Sequence, residues 1–140
     1  MRKIVFILSL FLVVSVIITN AQCSGNKSVQ TFKKSKVGII ISSNDAETVW
    51  NALRIANYSK SEGDTVTIFL LGKGVEAPNI DSKNFTVKEE LDTYVKSGGK
   101  VLACSTCLSM RNVKEPKMCT VSTLSDLYSL IKTNDKVLSF

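Results

Sequence analysis

Two cysteines separated by two residues, Cys104 and Cys107, are the residues of this sequence best suited to chemistry. Cys104 follows a short apolar segment, and a helix is expected to begin near Ser105. A thiol at a helix N-terminus faces unpaired backbone N–H groups and the positive end of the helix dipole, both of which favour the thiolate. The sequence therefore predicts a nucleophilic Cys104 whose pKa is lowered by the helix, with Cys107 as a second catalytic thiol.

The chain of 140 residues contains no histidine, and this absence excludes several kinds of catalytic site. Ser-His-Asp and Cys-His catalysis use imidazole as the base, and the common catalytic zinc sites use it as a ligand. A reactive group in this protein must therefore be activated in another way.

A third cysteine, Cys119, leaves several interpretations of the cysteines open. In one, Cys104 carries a terminal sulfur atom as a persulfide, and Cys107 or Cys119 resolves or shares it. In another, Cys104 and Cys107 cycle between a disulfide and two thiols, as C-x-x-C pairs often do. A metal site would use all three, but its fourth ligand is missing unless Cys23 or a carboxylate provides it. The alternative with no catalytic role is that the thiols form structural disulfides in an oxidising compartment.

The first 21 residues have the composition of a secretory signal peptide. Arg2 and Lys3 precede an apolar run at positions 4–18, and a polar exit with small residues follows. The run is shorter than the roughly 20 residues that a membrane-spanning helix needs, which favours cleavage over retention as an uncleaved anchor. We therefore expect residues 1–21 to direct export to the periplasm, and residues 22–35 to form a flexible lead-in.

Basic residues are in modest excess and look scattered along the sequence. The formal net charge is +6, and removing a leader with two basic residues lowers it by two, to +4. Lys33, Lys34 and Lys36 form the only local cluster. A nucleic-acid-binding surface would combine a basic face with aromatic residues. We therefore expect a solvated surface, no nucleic-acid partner, and membrane contact only through an uncleaved leader.

Strand-like and helix-like segments alternate from residue 36 to residue 140. Runs rich in β-branched residues predict strands at 37–41, 65–71, 101–103 and 136–140. Apolar residues at helical spacing predict helices between them, the first of which is capped by Asn44 together with Glu47. This alternation indicates an α/β fold, a three-layer α/β/α domain with a mainly parallel sheet of about five strands.

Ligands of such sheets bind where strands end at their carboxyl edge. The loops at 42–45, 72–77 and 103–111 are therefore the candidate site. Arg111 would help to hold an anion if the helix after Cys104 extends that far, whereas Glu76 is interpreted as a solvated carboxylate and Trp50 as a core residue. The glycines around residue 73 lack the spacing of a phosphate-binding loop, and no cofactor is predicted.

Several segments carry a resemblance to a known family. They are Val37-Gly-Ile-Ile-Ile, Asn44-Asp-Ala-Glu, Ile68-Phe-Leu-Leu-Gly-Lys-Gly-Val-Glu, Val101-Leu-Ala-Cys and Asp135-Lys-Val-Leu-Ser-Phe. In order and spacing the chain resembles the DsrE/DsrF-like family over about residues 36–140, which makes this segment a DsrE-like domain.

The resemblance implies a sulfurtransferase-like carrier of sulfane sulfur. It implies a compact subunit that assembles into trimers or hexamers and exchanges sulfur with donor and acceptor proteins, or with polysulfide, through a cysteine persulfide. Cys104 occupies the matching position. Cys107 and Cys119 are additions to the family's one-cysteine pattern, so the dithiol and metal-binding or partner-binding alternatives stay open.

Overall fold

The structure is a computed structural model that describes residues 32–114 and 117–140. The predicted signal peptide at 1–21 and most of the predicted lead-in at 22–35 lie outside the described residues. Within the described part of the chain, no helix has the length and apolar character needed to cross a membrane.

Strands and helices alternate along the chain, as the sequence predicts. In chain order they are β1 (Lys36–Ile41), α1 (Ala46–Ser61), β2 (Thr65–Leu70), a 3-10 helix (Gly72–Asn79), α2 (Val87–Lys96), β3 (Lys100–Cys104), α3 (Ser105–Met110), β4 (Thr120–Ser122), α4 (Leu124–Thr133) and β5 (Lys136–Ser139).

The five strands form one parallel sheet in the order β4-β3-β2-β1-β5. The predicted α/β fold is therefore confirmed. The four strands located from the sequence are present, and the fifth is β4, which pairs with the end of β3 so that Ser122 lies opposite Cys104. With only three residues, β4 is too short to produce a recognisable apolar pattern.

The larger core lies between one face of the sheet and helices α1, α2 and α3 together with the 3-10 helix. Its fully buried side chains include Ile39, Leu53, Ile68 and Tyr94. The Tyr94 hydroxyl donates a hydrogen bond of 2.7 Å to the carbonyl of Val66. Burial raises the pKa of Tyr94, so this phenol stays a neutral donor within the core.

Helix α4 covers the other face of the sheet. Its buried residues Leu127 and Leu130 pack against Phe69 and Leu102. Any side chain at Gly38 would collide with Leu130, so α4 lies directly on β1. The helix predicted from these apolar residues is confirmed, and three of its apolar side chains face away from the sheet: Leu124, Tyr128 and Ile131 are 75%, 64% and 47% exposed.

Candidate functional site

The carboxyl edge of the sheet brings together the segments that the sequence analysis selected. Because all strands are parallel, β1, β2 and β3 end at the same edge. They lead respectively into residues 42–45, into the 3-10 helix and into α3. The C-x-x-C sequence therefore lies beside the chain that follows β2.

Cys104 is the last residue of β3 and the N-cap of α3. Its backbone is extended, with φ −61° and ψ 114°, and its Sγ accepts a hydrogen bond of 3.4 Å from the Cys107 backbone N–H. The side chain is half-buried. The predicted strand-to-helix junction is confirmed, and the thiol occupies the position that a Ser or Asp side chain takes in an ordinary helix cap.

The predicted lowering of the Cys104 pKa is wrong. Burial raises the pKa of the Cys104 thiol, and the adjacent Cys107 thiol raises it further. The backbone N–H groups of Cys107 and Thr106 act in the opposite direction without overcoming these effects. Helix α3 has only six residues, so the field at its N-terminus is weak beside the cost of desolvating a charged sulfur.

Cys107 is half-buried and contacts the chain that follows β2. Its Sγ accepts a hydrogen bond of 3.2 Å from the backbone N–H of Gly72, the first residue of the 3-10 helix. Gly72 has φ +55°, a conformation that glycine adopts without steric cost. Each cysteine of the pair therefore has a backbone N–H directed at its sulfur.

The segment after β2, predicted as a loop, is instead a 3-10 helix held close to β1. The Leu71 N–H donates to the Ile41 carbonyl at 2.9 Å, and the Gly74 N–H donates to the Leu71 carbonyl at 2.8 Å. A Cβ atom at Gly74 would collide with the Ile41 carbonyl group. Gly74 thus allows the close approach that fixes the position of Gly72 next to Cys107.

Asn44, Glu76 and Arg111 join the three carboxyl-edge segments. Glu76 accepts a hydrogen bond of 2.7 Å from Asn44 Nδ2 and forms an ion pair of 3.2 Å with Arg111 Nη1. The Asn44 hydrogen bond is the largest effect that lowers the pKa of Glu76, and Arg111 lowers it further. Glu76 is therefore a bridging carboxylate rather than the isolated, solvated one predicted.

The same contacts correct two other predictions. The N-cap of α1 is Asp45, which accepts from the Thr48 N–H at 2.9 Å, so the predicted capping box of Asn44 with Glu47 does not form. Helix α3 ends at Met110 and Arg111 is its C-cap. The Arg111 guanidinium therefore faces Glu76 across the edge, and the predicted role in holding an anion has no support from its contacts.

Cys119 is half-buried among apolar residues before β4, and burial raises its pKa to about 11. Cys104, Cys107 and Cys119 are free thiols. Among residues 32–114 and 117–140, no three Cys, Asp or Glu side chains lie close enough to hold a metal ion. The three cysteines therefore do not form the metal site considered above, and Cys23 lies outside the described residues.

Trp50 lies at the side of this region, on α1. It is half-buried, its ring is 5.5 Å from that of Phe85, and its Nε1 donates to Thr86 at 3.2 Å. The Arg54 guanidinium stacks over it at 4.2 Å. These contacts link α1 to the start of α2, so Trp50 has the structural role that the sequence predicted.

The candidate loops at 42–45 and 72–77 include Asn44 and Gly72, but the sequence predicts neither the contact of Asn44 with Glu76 nor that of Gly72 with Cys107. The available signal for Gly72 is its position directly after a predicted buried strand. The spacing of Gly72 and Gly74 was compared only with that of a phosphate-binding loop, which it does not match. For Asn44, the helix-capping pattern provided a simpler interpretation than a contact with a residue more than 30 positions away.

Comparisons with known proteins are consistent with the fold. A sequence profile of the DsrE/DsrF-like family matches residues 35–140. Uncharacterized protein MK0008 of Methanopyrus kandleri is 31% identical over 102 residues, which are 67% of this chain and 83% of that protein.

Two solved structures share the architecture. YchN of E. coli has a TM-score of 0.67 and 21% identity, covering 77% of this chain and all of the YchN chain. The conserved protein of unknown function BT1422 from Bacteroides thetaiotaomicron has a TM-score of 0.62 and 25% identity, covering 75% and 94% of the two chains.

Proposed function

Because the chain belongs to the DsrE/DsrF-like family, whose members act in sulfur relay with partner proteins, we propose that it carries sulfane sulfur as a persulfide on Cys104. The observation that carries this proposal is the position of Cys104 at the carboxyl edge, with the Cys107 N–H directed at its sulfur. The N–H group can stabilise the negative charge of a thiolate or persulfide when the proton has left.

Loading transfers one sulfur atom from a donor persulfide or a polysulfide. The Cys104 thiolate attacks the terminal sulfur of R–S–SH, the donor S–S bond breaks, and the donor leaves as a thiol that takes up the Cys104 proton. The products are the Cys104 persulfide and R–SH, so electrons and protons balance. The exchange follows the general mechanism of thiol–disulfide chemistry, in which the thiolate is the nucleophile.

Release can follow two routes. The thiolate of an acceptor protein can attack the terminal sulfur, which forms an acceptor persulfide and returns Cys104 to its thiol. Alternatively, the Cys107 thiolate attacks Cys104 Sγ, hydrosulfide leaves, and a Cys104–Cys107 disulfide forms. The second route needs two electrons from a dithiol reductant before the next cycle.

The assembly and location of the protein are part of the proposal. The family resemblance supports a homo-oligomer, a trimer or hexamer, and the exposed apolar face of α4 at Leu124, Tyr128 and Ile131 offers a surface for contacts between copies. The composition of residues 1–21 supports export to the periplasm, with sulfur donors and acceptors located there. Light scattering of the purified protein and N-terminal sequencing of the exported form test these two points.

Sulfide release tests the role of Cys107. Protein loaded with polysulfide, freed of excess reagent and incubated without an acceptor should release hydrosulfide and form an internal disulfide. Cys107→Ser should retain the sulfur and slow release at least about tenfold, since no nearby thiol remains to displace it. Cys119→Ser is the matched control and should behave as the unchanged protein; equal slowing in both variants would contradict the role of Cys107.

A dithiol oxidoreductase is the second candidate, because Cys104 and Cys107 are adjacent free thiols. The reduction potential of the Cys104–Cys107 pair distinguishes the candidates. Fast disulfide exchange with a substrate protein, without any transfer of sulfane sulfur, would favour the oxidoreductase.

A further inference from the structure

The parallel sheet gathers lysines at the edge opposite the cysteines. All five strands begin at this edge, and helices α1, α2 and α4 run back to it, so their last turns also lie there. We call this surface the amino edge. It contains the first residues of the strands, three of which begin with a lysine, the last turns of three helices and the residues that precede β1. Its lysines are Lys33, Lys34, Lys36, Lys60, Lys96, Lys100, Lys132 and Lys136.

Three carboxylates accompany these eight lysines, and two of them are already engaged with the backbone. Asp64 accepts the Ser35 N–H and Asp135 accepts the Lys36 N–H, both at 2.8 Å. The third is Glu62, the C-cap of α1. A fourth carboxylate, Asp126 of α4, lies near Lys100 and interacts with its charge, so among the described residues the eight lysines outnumber the carboxylates around them by four.

Within the described residues, none of the amino-edge lysines forms an ion pair with a carboxylate. Within the part of the chain that the structure describes, the one ion pair joins Arg111 and Glu76 at the carboxyl edge. The basic residues are scattered along the sequence, but the fold brings many of them together, because strand starts and helix ends that are distant in sequence meet at one edge.

An exposed aromatic residue adjoins the lysines. Phe32 is 79% exposed and directly precedes Lys33 and Lys34. An aromatic side chain flanked by lysines suits the boundary between lipid headgroups and acyl chains, where the ring enters the apolar layer and the ammonium groups stay among the phosphates. From this combination we propose that the amino edge binds a membrane surface that carries anionic phospholipid headgroups.

Two observations favour a membrane over a nucleic acid. The amino edge contains no arginine, the residue that most often contacts phosphates and bases in nucleic-acid complexes; within the described residues, Arg54 lies on α1 and Arg111 at the carboxyl edge. The sequence also places the apolar run at 4–18 upstream of Phe32, and the export proposed from that run would bring the chain to a membrane.

The proposed orientation leaves the cysteines accessible. Strand β3 runs from Lys100 at the amino edge to Cys104 at the carboxyl edge, a distance of about 13 Å along the strand. With the lysines against the headgroups, the C-x-x-C sequence faces away from the membrane. The membrane proposal rests on the lysines and Phe32 of the amino edge and does not depend on the sulfur chemistry.

Vesicle co-sedimentation tests the proposal on the chain without residues 1–21. This form retains residues 32–140, which are a compact unit by themselves. The probes are vesicles of equal parts phosphatidylglycerol and phosphatidylcholine, vesicles of phosphatidylcholine alone, and a short DNA duplex. We expect binding to the anionic vesicles only, with a strong decrease when the ionic strength rises from about 0.1 M to about 0.5 M.

A matched pair of triple variants locates the surface. Each lysine near an anionic membrane contributes roughly fivefold to binding, so the variant with Lys36→Gln, Lys96→Gln and Lys136→Gln should bind at least about tenfold more weakly. The control, with Lys73→Gln, Lys83→Gln and Lys88→Gln, has the same net charge and should bind within about twofold of the unchanged protein. Equal losses in both variants, no binding to anionic vesicles, or DNA binding of equal strength would each overturn the proposal.

Discussion

Cys107 and Gly72 are 35 residues apart in the sequence, and the Cys107 Sγ accepts the Gly72 backbone N–H at 3.2 Å. This contact connects the C-x-x-C sequence to the segment that follows β2. The Gly72 N–H orients the Cys107 thiol. The Cys104 sulfur has a separate donor, the Cys107 N–H, so the two sulfurs do not share one hydrogen-bond donor.

The neighbouring thiol should control the pH dependence of Cys104. Burial and the Cys107 side chain raise the pKa of Cys104, so a smaller fraction of Cys104 is the reactive thiolate at a given pH than for an unperturbed cysteine. Cys107→Ala removes the second thiol but keeps the backbone N–H, so the alkylation rate of Cys104 should rise at a lower pH than in the unchanged protein. Iodoacetamide labelling across pH 7 to 11, followed by peptide mass spectrometry, measures this shift. Cys119→Ala is the control, and a shift of Cys104 alkylation toward higher pH in Cys107→Ala would contradict the assignment.

Cys119 should be unreactive in the folded protein. Its pKa of about 11 leaves roughly one thiolate in a thousand at pH 8, and the half-buried side chain limits access further. Alkylation of Cys119 in the native state should therefore be at least about tenfold slower than in urea-unfolded protein at the same pH. Equal alkylation rates in the folded and unfolded states would contradict the burial and the raised pKa of the Cys119 thiol.

Gly74 should be intolerant of a side chain. A Cβ atom at this position would collide with the carbonyl of Ile41, so Gly74→Ala must displace the 3-10 helix from the end of β1. We expect the free energy of unfolding to fall by about 2 kcal/mol or more. Urea denaturation followed by the fluorescence of Trp50, the single tryptophan, measures the change. Lys73→Ala on the same segment is the control and should change stability by less than about 0.5 kcal/mol.

The parts of the fold that could be predicted from the sequence are those that depend on local patterns of residues. The β-branched run of β1 and the apolar spacing of α1 depend only on residues near one another in the chain, and so does the junction that holds Cys104. The short strand β4 has no such pattern of its own, since it exists through pairing with β3.

The remaining features arise from packing between distant segments. The bridge from Asn44 through Glu76 to Arg111 joins three segments that are distant in sequence, and no spacing in the sequence indicates it. The largest effect that raises the pKa of Cys104 is burial in the folded protein, and the neighbouring Cys107 thiol adds to it. The field of a helix N-terminus depends only on the local backbone, and a prediction from it alone gives the wrong direction for the shift of the Cys104 pKa.

The proposed function depends most on Cys104 being the residue that accepts the sulfur atom. Intact and peptide-mapped mass spectrometry after incubation with polysulfide tests it most directly, because each added sulfur increases the mass by about 32 Da. The account predicts added sulfur on the Cys104 peptide of the unchanged protein and of Cys119→Ser, and none in Cys104→Ser. Unchanged loading in Cys104→Ser, with the added sulfur on another cysteine, would contradict it.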